Sequence, residues 1–259
     1  MNLFASENLA RFTRRQAALT HLGLSGLIAA TVVAVMLLLW YPDPWFAAAG
    51  GWTLLMLIVG VDVVLGPLLT FVVFDPAKKS LVYDLAVIVM LQVAALIYGV
   101  HIMASARPAF VVYFRGQFDA ITANDVITDG MAEAKLAQFR TVPLTGPRFA
   151  AARVPVDPGQ QFQILAESAG GGPDVSSYPR YYIPYATASR DAAAQGKPLA
   201  DLAKKSPLHT EAVAKFLKAA GKDADGLVYL PLRMRMGEMT IVLNKADGSF
   251  VGIVPILSR

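Results

Sequence analysis

The chain has no cysteine at all. Disulfide frameworks, thiolate metal sites and cysteine nucleophiles are therefore excluded. Charged residues are also scarce, at 16% of the 259 residues, against roughly 25% in soluble proteins. Hydrophobic residues make up 55% of the chain, and the mean hydropathy is +0.49. This balance argues against a purely soluble globular protein and equally against a disordered one.

The common sequence motifs of catalysis are missing as well. There is no Gly-x-Ser-x-Gly, no His-Glu-x-x-His, no Walker loop and no Gly-x-Gly-x-x-Gly. The histidines His21, His101 and His209 are far apart in the sequence and show no ligand spacing. We therefore predict no catalytic residue, no metal site and no cofactor, and we expect that the protein is not an enzyme.

Long apolar runs are what the chain has in abundance. Residues 22–40 and 85–106 contain no charge, and residues 52–74 contain a single one, Asp62. Because crossing a bilayer takes about 20 helical residues, all three runs predict transmembrane helices. The apolar region of a signal peptide is only about 7–15 residues long, so the first run predicts an uncleaved anchor.

Basic residues occur only in those flanking segments that would lie on one side of a membrane. Residues 41–51 contain none, whereas five lie before the first run or between the second and third: Arg11, Arg14, Arg15, Lys78 and Lys79. The positive-inside rule then predicts a cytoplasmic segment over residues 1–20 and a three-helix transmembrane domain over residues 21–106. Residues 107–259 follow on the far side, which is the periplasm in a Gram-negative bacterium. Four aromatic residues predict an interfacial belt at the outer edge: Trp40, Tyr41, Trp45 and Trp52.

The positive net charge does not indicate a nucleic-acid partner. The first 106 residues hold five basic and five acidic residues, so the whole formal excess of +4 lies in residues 107–259. In the predicted topology this part faces away from the cytoplasm, and its bases are mixed with acids. We therefore predict no nucleic-acid binding.

The tail, residues 107–259, has the pattern of an α+β domain. Residues 110–114 and 118–121 predict a β-hairpin that begins directly after the third run. Residues 132–139 and 207–220 have helical composition, and Gly221 is a suitable residue to end the second helix. Residues 228–234, 239–244 and 250–257 predict strands, the last two around a type I′ turn at Asp247-Gly248.

Asp62 is the most informative single residue. A carboxylate at the centre of a bilayer costs about 2.5–3.5 kcal/mol on insertion scales, so its side chain should face protein. Gln92 lies at a comparable depth in the third run and is a candidate hydrogen-bond partner. Gly60, Gly66 and Pro67 predict a kinked and closely packed helix. Three interpretations remain open: a hydrogen bond within the bundle, a polar dock for a partner's membrane helix, and a proton relay.

Several segments together resemble the type IV pilin accessory proteins of the TfpX/TfpZ family. They are His21-Leu22-Gly23-Leu24-Ser25, Trp40-Tyr41-Pro42-Asp43-Pro44, Gly50-Gly51-Trp52, Lys78-Lys79-Ser80-Leu81, Ala106-Arg107-Pro108 and the stretch from Gly60 to Thr70, GVDVVLGPLLT. The resemblance covers residues 20–115. It implies a bacterial inner-membrane protein with three spans and a periplasmic domain, associated with a particular major pilin whose assembly into pili it promotes. It carries no catalytic residue.

The sequence therefore predicts three transmembrane α-helices followed by a periplasmic α+β domain, in a pilin accessory protein that acts as a chaperone. Its predicted partners are a type IV major pilin and the lipid bilayer. The tail hairpin is expected to offer an edge to the pilin head, and the partner-binding residues are expected in the second and third helices: Asp62, Gly60, Gly66, Pro67 and Gln92. Two alternatives remain: a membrane enzyme that modifies pilin by glycosylation-type chemistry, and a membrane-anchored periplasmic ligand sensor.

Overall fold

The computed structural model describes residues 12–235 and 237–258. These residues form two compact units. The first consists of residues 12–38 and 50–104, and the second of residues 39–49 and 105–258. The second unit thus differs from the predicted domain 107–259 by including the segment between the first two long helices.

Three helices in the described residues are long and apolar enough to cross a membrane: Arg14–Trp40, Gly51–Val73 and Leu81–Ala106. Together with the mixed sheet that follows them, they confirm the predicted fold class of three apolar helices and an α+β domain. The first helix begins eight residues before the predicted start at 22. It does so because Thr13 and Gln16 form a capping box, in which each side chain accepts a hydrogen bond from the other's backbone N–H. The rest of the predicted cytoplasmic segment, residues 1–11, lies outside the described residues.

The first two long helices are not α-helical throughout. The first is α-helical over Arg14–Val35 and ends in a π-helical turn, Met36–Trp40. The second is α-helical over Gly51–Val59, π-helical over Gly60–Leu65 and α-helical again over Gly66–Val73. The third, Leu81–Ala106, is a continuous α-helix. The π-helical segment of the second helix is the one that contains Asp62.

The second unit is built on one mixed sheet. In chain order, its strands are β1 Pro108–Phe114, β2 Gln117–Thr122, β3 Arg148–Ala152, β4 Tyr182–Pro184, β5 Lys197–Pro198, β6 Leu227–Met234, β7 Gly237–Asn244 and β8 Phe250–Val254. The main path of the sheet runs in the order β4-β3-β1-β2-β6-β7-β8, and β5 pairs with β6 beside that path. The helices of this unit are Trp45–Ala48, Pro158–Ala169, Ser189–Gln195, Leu199–Ala203 and Pro207–Ala220. Short 3₁₀ turns occur at Met131–Glu133, Ala137–Phe139, Val175–Ser177, Pro179–Tyr181, Tyr185–Thr187 and Ala224–Gly226.

The predicted hairpin is confirmed, but its predicted free edge is wrong. β1 and β2 pair antiparallel across Arg115 and Gly116, both of which have positive φ, at 49° and 78°. A turn with two positive φ values matches the twist of the strands. The hairpin then lies inside the sheet, because β1 also pairs with β3 and β2 also pairs with β6. The strands that end the path are β4 and β8.

The other local predictions for the tail have mixed outcomes. The helix over 207–220 and its terminating residue Gly221, at φ 62°, are confirmed. Residues 132–139 are not a helix, since only two short 3₁₀ turns form there. The hairpin around Asp247-Gly248 is present, but only Gly248 has positive φ, so the turn is not type I′.

Tyr41 and Trp45 of the 39–49 segment are buried side chains of the second unit. Tyr41 and Trp45 are 2% and 3% exposed, whereas Trp52 in the second helix is 55% exposed. The Trp45 ring stacks on Phe250 at a centroid distance of 5.9 Å and meets the edge of Phe149 at 6.3 Å. The predicted aromatic belt is therefore wrong for Tyr41 and Trp45, because folding the sheet offers these rings a protein environment.

Candidate functional site

Four polar side chains from the three long helices meet in the first unit. They are His21 of the first helix, Asp62 and Thr70 of the second and Gln92 of the third. They line a groove with a volume of about 430 Å³. Its other walls are mostly apolar: Phe12, Ala17, Leu24, Ile28, Phe74, Leu85, Val89, Val93 and Leu96.

Asp62 and Gln92 are joined through the backbone. In the π-helical segment the N–H of Gly66 bonds to the carbonyl of Val61, five residues earlier. The next donor in that register would be Pro67, which has no N–H, so the carbonyl of Asp62 lacks a helical partner. The Gln92 side chain fills this role, with Nε2 donating to the Asp62 carbonyl oxygen at 3.1 Å. The predicted pairing of Asp62 with Gln92 is thus present, but it uses the backbone carbonyl and not the carboxylate.

Gly66 is what allows this hydrogen bond. A Cβ atom at position 66 would lie 2.0 Å from Nε2 of Gln92, so a larger residue would displace the amide. Gly60, at the start of the same segment, has no such neighbour within 4 Å. Of the five residues predicted to bind a partner, the structure therefore brings Asp62, Gly66, Pro67 and Gln92 together. Gly60 begins the π-helical segment and does not line the groove.

The carboxylate of Asp62 is buried and incompletely paired. Asp62 is 6% exposed, and within the described residues no group donates a hydrogen bond to its Oδ1 atom. His21 and the Gln92 side chain line the same groove, and His21 interacts electrostatically with this carboxylate. Its Nδ1 atom lies 2.6 Å from the hydroxyl oxygen of Thr70. An apolar groove with one unsatisfied acidic oxygen is suited to receive a hydrogen-bond donor or a cation.

His21 and Thr70 were missed as site residues by the sequence analysis, although counting along the helices could have found them. His21 lies 19 residues before the end of the first helix at Trp40, and Thr70 lies 19 residues after the start of the second at Gly51. In an antiparallel pair of helices, equal distances from the connecting segment mean equal depth. The same argument pairs Asp62 with Gln92, each 11 residues from the connection between Val73 and Leu81.

The second unit contains a partly buried ion pair that links three parts of its fold. The Nε and Nη2 atoms of Arg233 on β6 donate to the two carboxylate oxygens of Asp119 on β2, at 2.5 and 2.9 Å. Nη2 also donates to Asp174 at 3.3 Å. The Asp119 side chain is 5% exposed. Hydrogen bonding to Asp119 raises the pKa of Arg233 above its ordinary value, and the two hydrogen bonds join β2 to β6.

An apolar patch lies on the surface of the second unit, on the helix Pro158–Ala169 and the residues before it. Ile164 points into the domain and is 6% exposed, whereas Phe162 and Leu165 are 74% and 66% exposed and Val156 is 95% exposed. A groove of about 520 Å³ separates this helix from the β1–β2 turn. Clustered exposed apolar residues of this kind mark interaction surfaces. The sequence pattern does not predict this helix.

Comparison with known proteins decides the family. A fimbrial assembly protein of serogroup I from Dichelobacter nodosus is 30% identical over 229 residues, which cover 87% of this chain and 88% of the relative. The chain belongs to the fimbrial assembly protein family. The family model for fimbrial assembly protein FimB matches residues 11–50, which include His21 and Trp45.

Two further fimbrial assembly proteins from the same organism are similar to this chain. The serogroup E1 protein is 29% identical over 87% of this chain and 88% of its own length. The protein of serogroups C1 and C2 is 34% identical over 116 residues, which are 44% of this chain and 88% of the relative. No solved structure matches the chain. In the described part of this fimbrial assembly protein, no group of His, Asp and Glu side chains is arranged to hold a metal ion.

Proposed function

We propose that the protein is a non-enzymatic accessory protein, or chaperone, that binds a cognate type IV major pilin and promotes its stability or its assembly into pili. The observation that carries the proposal is membership of the fimbrial assembly protein family in a chain of two different units. One is a bundle of apolar helices and the other a folded α+β domain. A pilin with an apolar helix and a folded head offers a surface to each. The TfpX/TfpZ resemblance points to the same role.

We place the protein in the bacterial inner membrane, with the N-terminus in the cytoplasm and the second unit in the periplasm. The distribution of Lys and Arg around the three helices supports this orientation. The grouping of residues 39–49 with residues 105–258 in one folded unit gives independent support. Because both segments share one core, the connection between the first two helices must lie on the same side of the membrane as the tail.

The two units would have different roles in binding the pilin: the first would contribute affinity and the second would select the partner. Apolar helices present chemically similar surfaces in lipid, so the bundle would hold a membrane helix with little discrimination. A folded surface can accept one partner and reject another, so the second unit would choose among pilins. The patch of Val156, Phe162 and Leu165 is the surface through which we propose that it contacts the pilin head, since it is both apolar and exposed.

Deletion of the gene and recovery of the complex test this proposal. Loss of the protein should lower the amount of surface pili while the mass of the remaining pilin is unchanged, and the full-length protein should co-purify from membranes with its pilin. Exchange of residues 107–259 with those of a relative should switch the pilin that is recovered. A changed pilin mass would favour a modifying enzyme instead, and normal piliation without recovered pilin would refute the chaperone function.

The apolar patch has its own matched test. Phe162→Ser should reduce recovery of the pilin, because Phe162 is 74% exposed and its loss costs the domain little packing. Phe149→Ser is the contrasting variant, since Phe149 packs against Trp45 and Phe250 within the unit. It should lower the stability of the domain itself. Unchanged recovery with Phe162→Ser would remove the patch from the proposed contact.

A further inference from the structure

The groove of the first unit has one polar wall and otherwise mostly apolar walls, and this combination limits which molecules can occupy it. Most of its walls are apolar, as in Leu24, Val89 and Val93. Its polar wall contains the Asp62 carboxylate, which is 6% exposed and whose Oδ1 atom receives no hydrogen bond from the described residues. Carboxylates within membrane helices are normally paired with a cation or a donor. The described groove residues satisfy the backbone carbonyl of Asp62 but not this oxygen.

Two neighbouring polar groups of the groove have other hydrogen-bond partners. Nε2 of Gln92 donates to the Asp62 carbonyl oxygen, and Nδ1 of His21 is held by the Thr70 hydroxyl. His21 interacts with the Asp62 carboxylate electrostatically, and no group of the described residues donates a hydrogen bond to its Oδ1 atom. A lipid acyl chain could cover the apolar walls, but it would leave the acidic oxygen unsatisfied. A wholly apolar helix would do the same.

We propose that this groove is the docking site for the transmembrane helix of the pilin client, and that Asp62 recognises a cationic group that this helix carries within the bilayer. The inference rests on the proposed function and specifies its membrane contact. The groove takes side chains from one face of a helix that packs alongside the bundle at the usual 8–10 Å between axes. The apolar walls then match the apolar face, and the single carboxylate sets the depth at which the client is held.

Photo-crosslinking in intact membranes tests where the client helix lies. A photoreactive amino acid is placed in the full-length protein at Leu24 or Val89, which line the groove, and at Leu27 or Val87 as controls. The controls lie on the same two helices and are also exposed, at 67% and 50%, but are outside the groove. We expect crosslinks to a tagged pilin from the first pair and none above background from the second.

Substitution of Asp62 tests the chemistry. Asp62→Asn keeps the backbone carbonyl that Gln92 binds, so the amount of folded protein should be unchanged. It removes the negative charge, and polar contacts between membrane helices are worth about 0.6 to 1.7 kcal/mol. The crosslink yield from Leu24 and Val89 should therefore fall by about threefold to about sixteenfold. Asp62→Glu, which keeps the charge, should retain more of the yield than Asp62→Asn.

The outcomes separate this inference from the proposed function. Equal yields from groove and control positions, or a yield insensitive to Asp62→Asn, would overturn the groove as the site while co-purification still supports the chaperone. Crosslinks from the groove to a second copy of this chain would overturn the pilin as its occupant. If no pilin is recovered by co-purification or from any position, the proposed function fails as well.

Discussion

The indole ring of Trp45 stacks on the ring of Phe250, with centroids 5.9 Å apart and an angle of 20° between the planes. Trp45 comes from the segment between the first two long helices, and Phe250 begins the last strand of the sheet. This contact builds a membrane-proximal segment into the core of the folded domain. It means that the second unit cannot form completely from residues 107–259 alone.

Removal of the Trp45 ring should therefore destabilise the second unit. Trp45→Ala deletes a ring that is 3% exposed, and such truncations cost about 3–5 kcal/mol. The loss of stability is measured by unfolding the full-length protein with denaturant in detergent. The readout is the resistance of the sheet to protease at each denaturant concentration. Trp52→Ala is the control, because Trp52 is 55% exposed and should change little. Equal stability of the two variants would show that the stacked contact does not support the domain.

Substitution by alanine should lower the stability of the protein at Gly66 but not at Gly60. Gly66→Ala places a Cβ atom where Nε2 of Gln92 now lies, so the Asp62 carbonyl loses its donor. An unsatisfied buried acceptor costs about 1–3 kcal/mol, which outweighs the gain of about 1 kcal/mol in helix propensity from Gly to Ala. Gly60→Ala meets no atom within 4 Å and should be neutral or slightly stabilising. Unfolding by a denaturing detergent, monitored by circular dichroism, compares them, and a stable Gly66→Ala variant would contradict the close approach.

Removal of the Arg233 side chain should lower the stability of the second unit more than removal of the Arg235 side chain. Arg233→Ala leaves Asp119, whose side chain is 5% exposed, without its bidentate partner. Because the Arg233 side chain is 49% exposed, the cost should be smaller than the about 3–5 kcal/mol of a fully buried pair, and we expect about 1–3 kcal/mol for the unsatisfied Asp119 carboxylate. Arg235→Ala breaks a 3.6 Å contact with Asp125 in which both side chains are largely exposed, and exposed pairs contribute about 0–1 kcal/mol. Thermal unfolding of both variants checks the contrast, which fails if Arg235→Ala is the more damaging.

The absence of cysteine makes the membrane orientation directly measurable. Val156→Cys lies in the second unit at a residue that is 95% exposed, and Lys79→Cys lies in the exposed connection between the second and third helices. With the inner membrane intact and the outer membrane opened, an impermeant maleimide should label the first variant and spare the second. Labelling of Lys79→Cys should require a permeable inner membrane. The reverse pattern would move the second unit to the cytoplasm and remove it from contact with a pilin head.

The three long helices, the helix Pro207–Ala220 and most strands could be predicted from the sequence because their signals are local. Uncharged apolar runs as long as a bilayer is thick predict transmembrane helices by themselves. The helix Pro207–Ala220 and the β1–β2 hairpin likewise depend on neighbouring residues, such as Gly221 and Gly116, that suit the required backbone angles. Local signals also explain the partial success at Asp62, because a lone acid in an apolar helix requires a polar neighbour at the same depth.

Tertiary structure alone decided which surfaces these elements bury. Trp45 has the composition of an interfacial aromatic residue, and only the distant strands that supply Phe149 and Phe250 convert its environment into a protein core. The hairpin loses its free edge for the same reason, since β3 and β6 come from remote parts of the chain. The groove depends on how far each helix is rotated about its axis, which is set by close approaches such as Gly66 to Gln92. Depth along a helix follows from counting residues, but the direction in which Asp62, His21 and Thr70 face is determined by packing between helices.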